Sequence, residues 1–429
     1  MISKENHLKA SNGVKIVADF HIHSKYSRAT SPDMNLENLN IWAKKKGINV
    51  MGTGDFTHPL WFKEIQEKLE PAEPGLFVLK NDKQGTRFIL TVEISSIYSK
   101  NGKVRRIHNL VFLPSFESAE KFNNRLSLKG NLKADGRPIL GLDAKELLKI
   151  ALNADEKSFF VPAHAWTPWF SIFGSMSGFD SIEECFDELS PNIRAIETGL
   201  SSSPEMNWRL SKLDKIALIS NSDSHSPQRI GREANVFNCD PDYFSIIEAI
   251  KSKNPEKFLY TIEFFPEEGK YHFDGHRNCN IRFSPEETKK HNGICPVCGK
   301  PVTAGVMNRI NKLADPERPD GFQLENAAIP CKKTVPLDEI IADTLGVGAK
   351  SKRVMKEYDL LIEKIGGEIN ILIDEPIEKI SEIAGPRIAE AISRVRQGKL
   401  VIQPGYDGEY GKIKIFRENE EIETQKSLF

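Results

Sequence analysis

The chain has almost no net charge, few cysteines and no long apolar run, and each shortage removes a class of protein. Lys and Arg number 59 against 60 Asp and Glu, a formal charge of −1 at pH 7. No global basic field therefore draws the molecule to nucleic acid, and any such contact must come from local clusters. Six cysteines in 429 residues are too few for a disulfide framework. Four of them fall between Cys279 and Cys331, which points to metal rather than oxidation. No stretch approaches the roughly 20 apolar residues that span a bilayer, and Met1 to Gly13 is polar, without the apolar centre of a signal peptide. A cytoplasmic protein without a membrane partner is expected, of about two or three domains.

What is present is a series of histidines and carboxylates, most at the ends of short apolar runs. His21 and His23 close Lys15 to Phe20; Asp55 and His58 follow Asn49-Val50-Met51; Glu93 follows Phe88 to Val92. His108 opens Asn109 to Leu113, His164 follows Phe159-Phe160-Val161, and Asp223-Ser224-His225 ends Ile216 to Ser220. Short apolar runs read as buried strands, and the carboxyl ends of parallel strands are where an α/β barrel builds its active site. A lone histidine beside a strand is more often structural, but an i, i+2 pair such as His21 and His23 points both rings to one face. Imidazoles mixed with carboxylates are ligands for Zn²⁺ or Mn²⁺, and two such ions side by side suit phosphate-ester hydrolysis.

The order Asp-x-His-x-His (Asp19, His21, His23), Gly54-Asp55, Val92-Glu93-Ile94-Ser95, His108-Asn109-Leu110, Pro162-Ala163-His164 and Ser222-Asp223-Ser224-His225 resembles the polymerase and histidinol phosphatase (PHP) superfamily. That resemblance implies a distorted (β/α)7 barrel over residues 1–265 with two or three divalent ions (Zn, Mn or Mg). It implies that His21, His23, Glu93 and Asp223 hold a first metal, and that Glu93 bridges to a second held by His108 and His164. A third site would use His225 with a ligand from the second motif. There the chain reads Thr53-Gly54-Asp55-Phe56-Thr57-His58 in place of Thr-Asp-His, so either Asp55 or His58 would complete it. Asp223, His225 and Asp55 are candidate catalytic residues, His225 or Asp55 either taking a proton or ligating. Arg232 is a candidate phosphate clamp or a buried ion-pair partner.

Past Phe265 the character changes. His276-x2-Cys279 and, fifteen residues on, Cys295-x2-Cys298-Gly299 form two half-sites of a closed tetrahedral zinc site that would stabilise a small module, residues 266–336. Cys331 and His291 are rivals for the fourth position. Residues 337–429 read as helical until Lys412 to Phe416. Two glycine-centred turns stand out, at Gly346-Val347-Gly348 and Gly385-Pro386; the second resembles half of a helix-hairpin-helix motif, which aims backbone N–H groups at a DNA phosphate. Lys350, Lys352, Arg353, Arg387, Arg394 and Arg396 lie beside them, whereas Lys44-Lys45-Lys46 reads as a solvated helix face.

The segment after His164 carries Trp166, Trp169, Phe170, Phe173 and Phe179, with Gly174-Ser175 and Ser177-Gly178 between them. Aromatic faces and glycine amides are what a pocket needs to hold an extruded base. Phe173 and Phe179 read instead as cover for the barrel core. The whole combination resembles the endonuclease Q family. That resemblance implies nicking of DNA 5′ to a deaminated base (uracil, hypoxanthine, xanthine) or an abasic site, leaving a 3′-hydroxyl and a 5′-phosphate. Backbone amides donating to the keto oxygen of a deaminated base would reject undamaged bases by facing donor against donor. A replication clamp is a candidate partner. The competing readings are a small-molecule PHP phosphatase and a DNA-binding protein with an inert barrel.

Overall fold

The computed structural model describes residues 14–324 and 329–417; the polar segment Met1 to Gly13 lies outside them. Of the twelve strands described between Val14 and Glu263, nine position the site: β1 Val14–Asp19, β2 Val50–Gly52, β3 Arg87–Lys100, β4 Lys103–Leu113, β5 Phe159–Pro162, β6 Ala195–Glu197, β7 Ala217–Ile219, β8 Ala234–Cys239 and β9 Phe258–Glu263. β1, β2 and β3 pair in parallel, as do β6 and β7. β4 is antiparallel to both β3 and β5. Ala165, just past β5, donates its N–H to the carbonyl of Glu197 in β6, and His23, past β1, donates to Ser224, past β7. The succession from β1 to β7 thus returns to its start, while β8 and β9 extend the sheet beyond the other edge of β1. The architecture is mixed α/β, with Phe20, Ile89, Phe112, Val161 and Ile219 buried inside the ring.

One feature departs from a purely parallel reading. Asn101 and Gly102 both hold positive φ (54° and 73°), as a two-residue hairpin turn between twisted strands requires. β4 therefore folds straight back on β3, with Ser95 opposite His108. The first half of β4 lies at the rim where the second half of β3 ends, so His108 reaches that rim from mid-strand.

Beyond these strands, β10 Asp274–His276 and β11 Ile281–Phe283 form a hairpin, and a helix follows at Val306–Leu313. Cys331–Lys333 rejoins the main sheet, parallel to β9. Five helices follow: Leu337–Leu345, Lys352–Ile365, Glu368–Ile373, Ile377–Ala384 and Pro386–Arg396. They share an apolar core that includes Leu337, Ile340, Tyr358, Ile371 and Ile392. The turn-rich tail then folds back on the small module: Gly405 and Gly411 donate to the carbonyls of Glu267 and Glu268, and Phe273 donates to that of Gly405. Among the described residues no helix is long and apolar enough to cross a membrane.

The helical domain is pinned to the barrel through α1, Leu36–Lys46. Lys46 is not on a solvated face: its Nζ lies 2.6 Å from Glu368 Oε2, with both side chains 4% exposed. The turn after α1 brings Gly47 against the backbone of Gly367, and that approach carries Lys46 under cover. Glu368 also accepts the Leu337 N–H (3.1 Å) and the Tyr358 hydroxyl (2.7 Å). Breaking one side of a buried pair leaves an uncompensated charge, at about 3–5 kcal/mol. Lys46→Met should therefore lower the unfolding free energy read from urea titration by that order, and adding Glu368→Gln should recover most of the loss. A Lys46→Met protein that unfolds like the unaltered one would show that the pair does not hold the domains.

Candidate metal centre

Glu93 is the hub. His21, His23, Glu93 and Asp223 each present a ligand atom within 4.8 Å of the others, and so do Glu93, His108 and His164. His21 and His23 leave the end of β1 and Asp223 leaves the end of β7, while Glu93 projects from β3. Glu93 Oε1 stands 2.7 Å from His108 Nδ1 and 2.9 Å from His164 Nε2; Glu93 Oε2 stands 3.4 Å from His23 Nε2. Asp223 Oδ1 is 3.0 Å from His23 Nε2 and 3.6 Å from His21 Nε2.

A second ring of carboxylates fixes the imidazoles. Glu197 receives His21 Nδ1 (3.0 Å), the backbone N–H of His164 (2.8 Å) and Asn221 Nδ2 (2.8 Å). The sequence reading missed Glu197, although it closes the short run Ala195-Ile196 at the end of β6. Asp55 is placed behind His23, not beside Glu93. It lies 3.1 Å from His23 Nδ1 and accepts from the Ser24 backbone and hydroxyl and from the Ser27 hydroxyl. With its oxygens so engaged, Asp55 acts as an orienting partner, the usual companion of a ligating histidine. His58 stacks on Tyr26 at the N-terminus of the helix Pro59–Lys68. His225 packs on the ring of His23 at 4.5 Å, its Nδ1 at 3.0 Å from the carbonyl oxygen of Asp223. Among the described residues neither joins the two clusters.

The donor set fits divalent ions. His21 Nε2 is buried with no hydrogen-bond partner, although Glu197 holds the opposite nitrogen and aims it at Glu93 and Asp223. Burial works against charge on His21, but Glu197, Asp223 and Glu93 outweigh it and raise the ring well above its ordinary value. Burial likewise pushes Glu93 up, yet His108, Arg137 and His21 hold it well below the usual carboxylate range. So concentrated a group of acids draws positive charge, and imidazole with carboxylate suits Zn²⁺ or Mn²⁺. Asp55, His164 and Asp223 all hold left-handed backbone (φ 51°, 28° and 47°), and strain of this kind collects at functional sites.

Arg232 is neither clamp nor ion-pair partner among the described residues: its Nε and Nη2 both donate to the Ser222 carbonyl, which fixes the loop that carries Asp223. The cation at the centre is Arg137, unforeseen because it sits in a loop without periodicity. Its Nη1 lies 3.1 Å from Glu93 Oε2 and its side chain is 27% exposed.

The aromatic loop is only partly a pocket wall. Trp166 is buried against Phe173, with its Nε1 donating to Asn207, so it belongs to the core. The N–H groups of Gly174 and Gly178 donate to Ser171 and Gly174 within the loop. A Cβ on Gly178 would lie 2.4 Å from the Gly174 nitrogen, so these glycines serve close packing and their amides are spent. Phe170 packs on His108 at 4.8 Å and Trp169 meets Tyr271 edge-on. Ser177 Oγ donates to the Arg106 carbonyl, whereas Ser175 Oγ is buried without a partner. Arg309 of the helix Val306–Leu313 grips the loop from behind, donating to the carbonyls of Phe173 and Phe179 and pairing with Asp180.

Elsewhere, His276, Cys279, Cys295 and Cys298 place their ligand atoms within 4.8 Å of one another. Burial pushes the Cys295 thiol up, but the backbone amides of Cys298 and Val297 outweigh it and lower the value. The rivals lie elsewhere: Cys331 bonds Glu205 at 3.3 Å and His291 stacks on Phe283. In the helical domain Lys350, Lys352 and Arg353 are exposed at the Gly346–Ser351 turn. Arg387 lies over the Phe416 ring, Arg394 pairs with Glu390, and Arg396 donates to the carbonyls of Ile371, Leu372 and Glu375. Arg396 thus closes a helix end rather than reaching for a phosphate.

Two outcomes follow. Glu93→Gln should abolish metal-dependent activity, whereas Glu197→Gln should cost about 10–100-fold in metal affinity or rate, as second-ring partners do. Activity titrated with Mn²⁺ checks both, and an unaltered Glu197→Gln curve would remove that residue from the centre. Cys295→Ser should lose one equivalent of zinc and a large part of the module's thermal stability, since structural zinc contributes about 10 kcal/mol or more in small domains. Unchanged metal content and melting would exclude that role.

Comparisons with known proteins agree along the whole length. Residues 336–399 match the family model described as the MJ0043 C-terminal domain. The uncharacterized protein MJ0043 of Methanocaldococcus jannaschii is 36% identical over 58% of this chain, a match that spans 31% of that longer protein. The uncharacterized protein YqxK of Bacillus subtilis is 30% identical over 93% of this chain and 99% of its own. The crystal structure of the lesion-specific endonuclease PfuEndoQ from Pyrococcus furiosus superposes with a TM-score of 0.84 at 33% identity, covering 97% of this chain and 100% of that one. Endonuclease Q in complex with a 27-mer duplex bearing an abasic lesion at the active site gives 0.83 at 34% identity, covering 96% and 99%. Identity of this level across barrel, small module and helices together means that the chain belongs to the endonuclease Q family.

Proposed function

We propose that the protein is a metal-dependent DNA repair endonuclease of the cytoplasm, nicking the phosphodiester 5′ to deaminated bases or abasic sites and leaving a 3′-hydroxyl and a 5′-phosphate. The observation that carries this is Glu93, shared by two histidine-bearing clusters at one rim of the strand ring, in a chain related to endonuclease Q over nearly its whole length. In this reading the ring from β1 to β7 is the distorted (β/α)7 barrel of the PHP superfamily. His276, Cys279, Cys295 and Cys298 hold a structural zinc. A replication clamp is a further partner in the same reading, to be tested by co-purification.

His21, His23, Glu93 and Asp223 would hold one ion, and Glu93, His108 and His164 a second. Such a pair supplies an activated nucleophile and neutralises charge on a phosphate. Glu197 and Asp55 keep the imidazoles turned inward. Arg137 stands where a non-bridging phosphate oxygen would be received. His225, a third exposed, would exchange a proton at the mouth. For the base, Phe170 and Trp169 offer faces for stacking. With the Gly174 and Gly178 amides engaged, the buried, unpartnered Ser175 hydroxyl would need the loop to shift before it could read a keto oxygen.

The deciding experiment uses purified protein with Mg²⁺ or Mn²⁺ on labelled duplexes carrying one uracil, hypoxanthine, abasic site or normal base. Nicking is expected beside the lesions only. Hydrolysis of p-nitrophenyl phosphate with no DNA cut would support a small-molecule phosphatase instead. Neutralising Lys350, Lys352 and Arg353 should weaken binding to damaged and normal duplexes alike, because phosphate contacts position without specifying. The salt slope should fall by about 0.9 for each phosphate released, and a slope unchanged by the triple variant would take the helical domain out of DNA binding.

A further inference from the structure

A groove of about 950 Å³ runs between the helices Phe116–Ser127 and Ala144–Ala154, on the outside of the barrel. Lys121, Arg125, Lys129 and Lys149 line it, against one carboxylate, Glu146. Lys121 is paired with Glu117 at 2.7 Å, but Arg125, Lys129 and Lys149 have no carboxylate partner among the described residues. Several helix cations elsewhere are neutralised one turn away, as in Lys68 with Glu64, Lys379 with Glu375 and Arg394 with Glu390. Unpaired cations converging on one groove repel each other and are best satisfied by a polyanion.

The groove opens at the metal rim. β4 carries His108 at that rim and ends at Leu113 on the far side, so the helix after it runs back towards the centre. There Asn123 donates to the Phe56 carbonyl, next to Asp55. Residues 129–137 continue from the groove to the hub: Lys133 is exposed, Gly136 donates to the Tyr26 carbonyl and Arg137 meets Glu93. Lys129, Lys133 and Arg137 thus make a path of cations from groove to centre. The helical domain sits against α1, between β1 and β2, whereas the groove lies between β4 and β5, across the ring. Each groove helix is about 17 Å long, room for roughly five nucleotides at about 3.4 Å of rise.

We infer that this groove binds the sugar-phosphate backbone of one duplex arm, the arm on the opposite side of the lesion from the one held by the Gly-turn helices. The inference rests on the endonuclease reading and adds a second, separate grip to it.

The test compares the full-length protein with its R125Q/K129Q/K149Q variant, all three positions being exposed on helix or loop surface. Substrates are two uracil-containing duplexes, each with a long arm on one side of the lesion only and mirror images of one another. The variant should lose about tenfold or more in kcat/KM on one mirror duplex and little on the other, with a salt slope lower by up to about 2.7 for three phosphates. The K350Q/K352Q/R353Q variant should show the opposite preference. Equal losses on both duplexes, or none, with nicking by the unaltered protein intact, would overturn the groove alone and leave an acidic protein surface as its partner. No nicking of either duplex by the unaltered protein would overturn the endonuclease reading and this inference with it.

Discussion

A buried carboxylate surrounded by imidazoles is the constraint on which the rest of this molecule depends. Glu93 is 1% exposed, and an unpaired carboxylate at that depth would cost several kcal/mol. His21, His23, His108, His164 and Arg137 all turn toward it, and each needs its own support. Glu197 holds His21, Asp55 holds His23, and Thr167 Oγ1 lies 3.1 Å from His164 Nδ1. Asp19, buried beneath, accepts from the backbones of Ser222 and Gly231, and burial pushes it up to about 6. The loop that presents Asp223 is thereby tied to the strand that presents His21 and His23. Burial of one acid has fixed the geometry of the strand ends around it.

The modules outside the barrel lean on the same rim. Arg309 reaches back from the small module to the carbonyls of the aromatic loop, so the loop beside His108 is shaped from outside the barrel. The tail that leaves the helical domain closes on residues 267–277. Lys46 and Glu368 join that domain to α1 at a point dry enough for a single charge to matter. The three parts therefore form a continuous body around the mouth where Glu93 and its imidazoles lie.

How much of this was legible depends on where each residue's signal lives. The inner ring was readable because a polar residue at the edge of an apolar run has few structural uses, and such positions recur in order from His21 to Asp223. Glu197 escaped because β6 is only three residues long and gives too short a run to notice. Arg137 escaped because loops carry no period. Asp55 and Trp166 were over-read for the opposite reason. Their positions lie next to the centre in sequence, but which way a side chain turns is set by contacts from Ser24, Ser27 and Asn207, distant in the chain or across a turn. The hairpin of β4 on β3 was signalled locally by Asn101-Gly102, a pair that a reading of apolar runs passes over, whereas the antiparallel pairing of β4 with β5 joins segments far apart in the chain and has no such signal.

The departure in the second motif has a physical reason that bears on the number of ions. Phe56 is fully buried and meets Phe122 at 6.1 Å, anchoring the helix that later bears Arg125. Placing an aromatic there moves the following histidine two residues on, to the start of a helix, where His58 stacks on Tyr26 instead of facing Glu93. Asp55 is already committed to His23 and two serines. His225 is then the remaining imidazole at the mouth, held by its own backbone and packed on the ring of His23. The chain therefore concentrates its candidate ligands in the two clusters that share Glu93 and leaves the outer, solvent-facing position with one partly exposed histidine, His225.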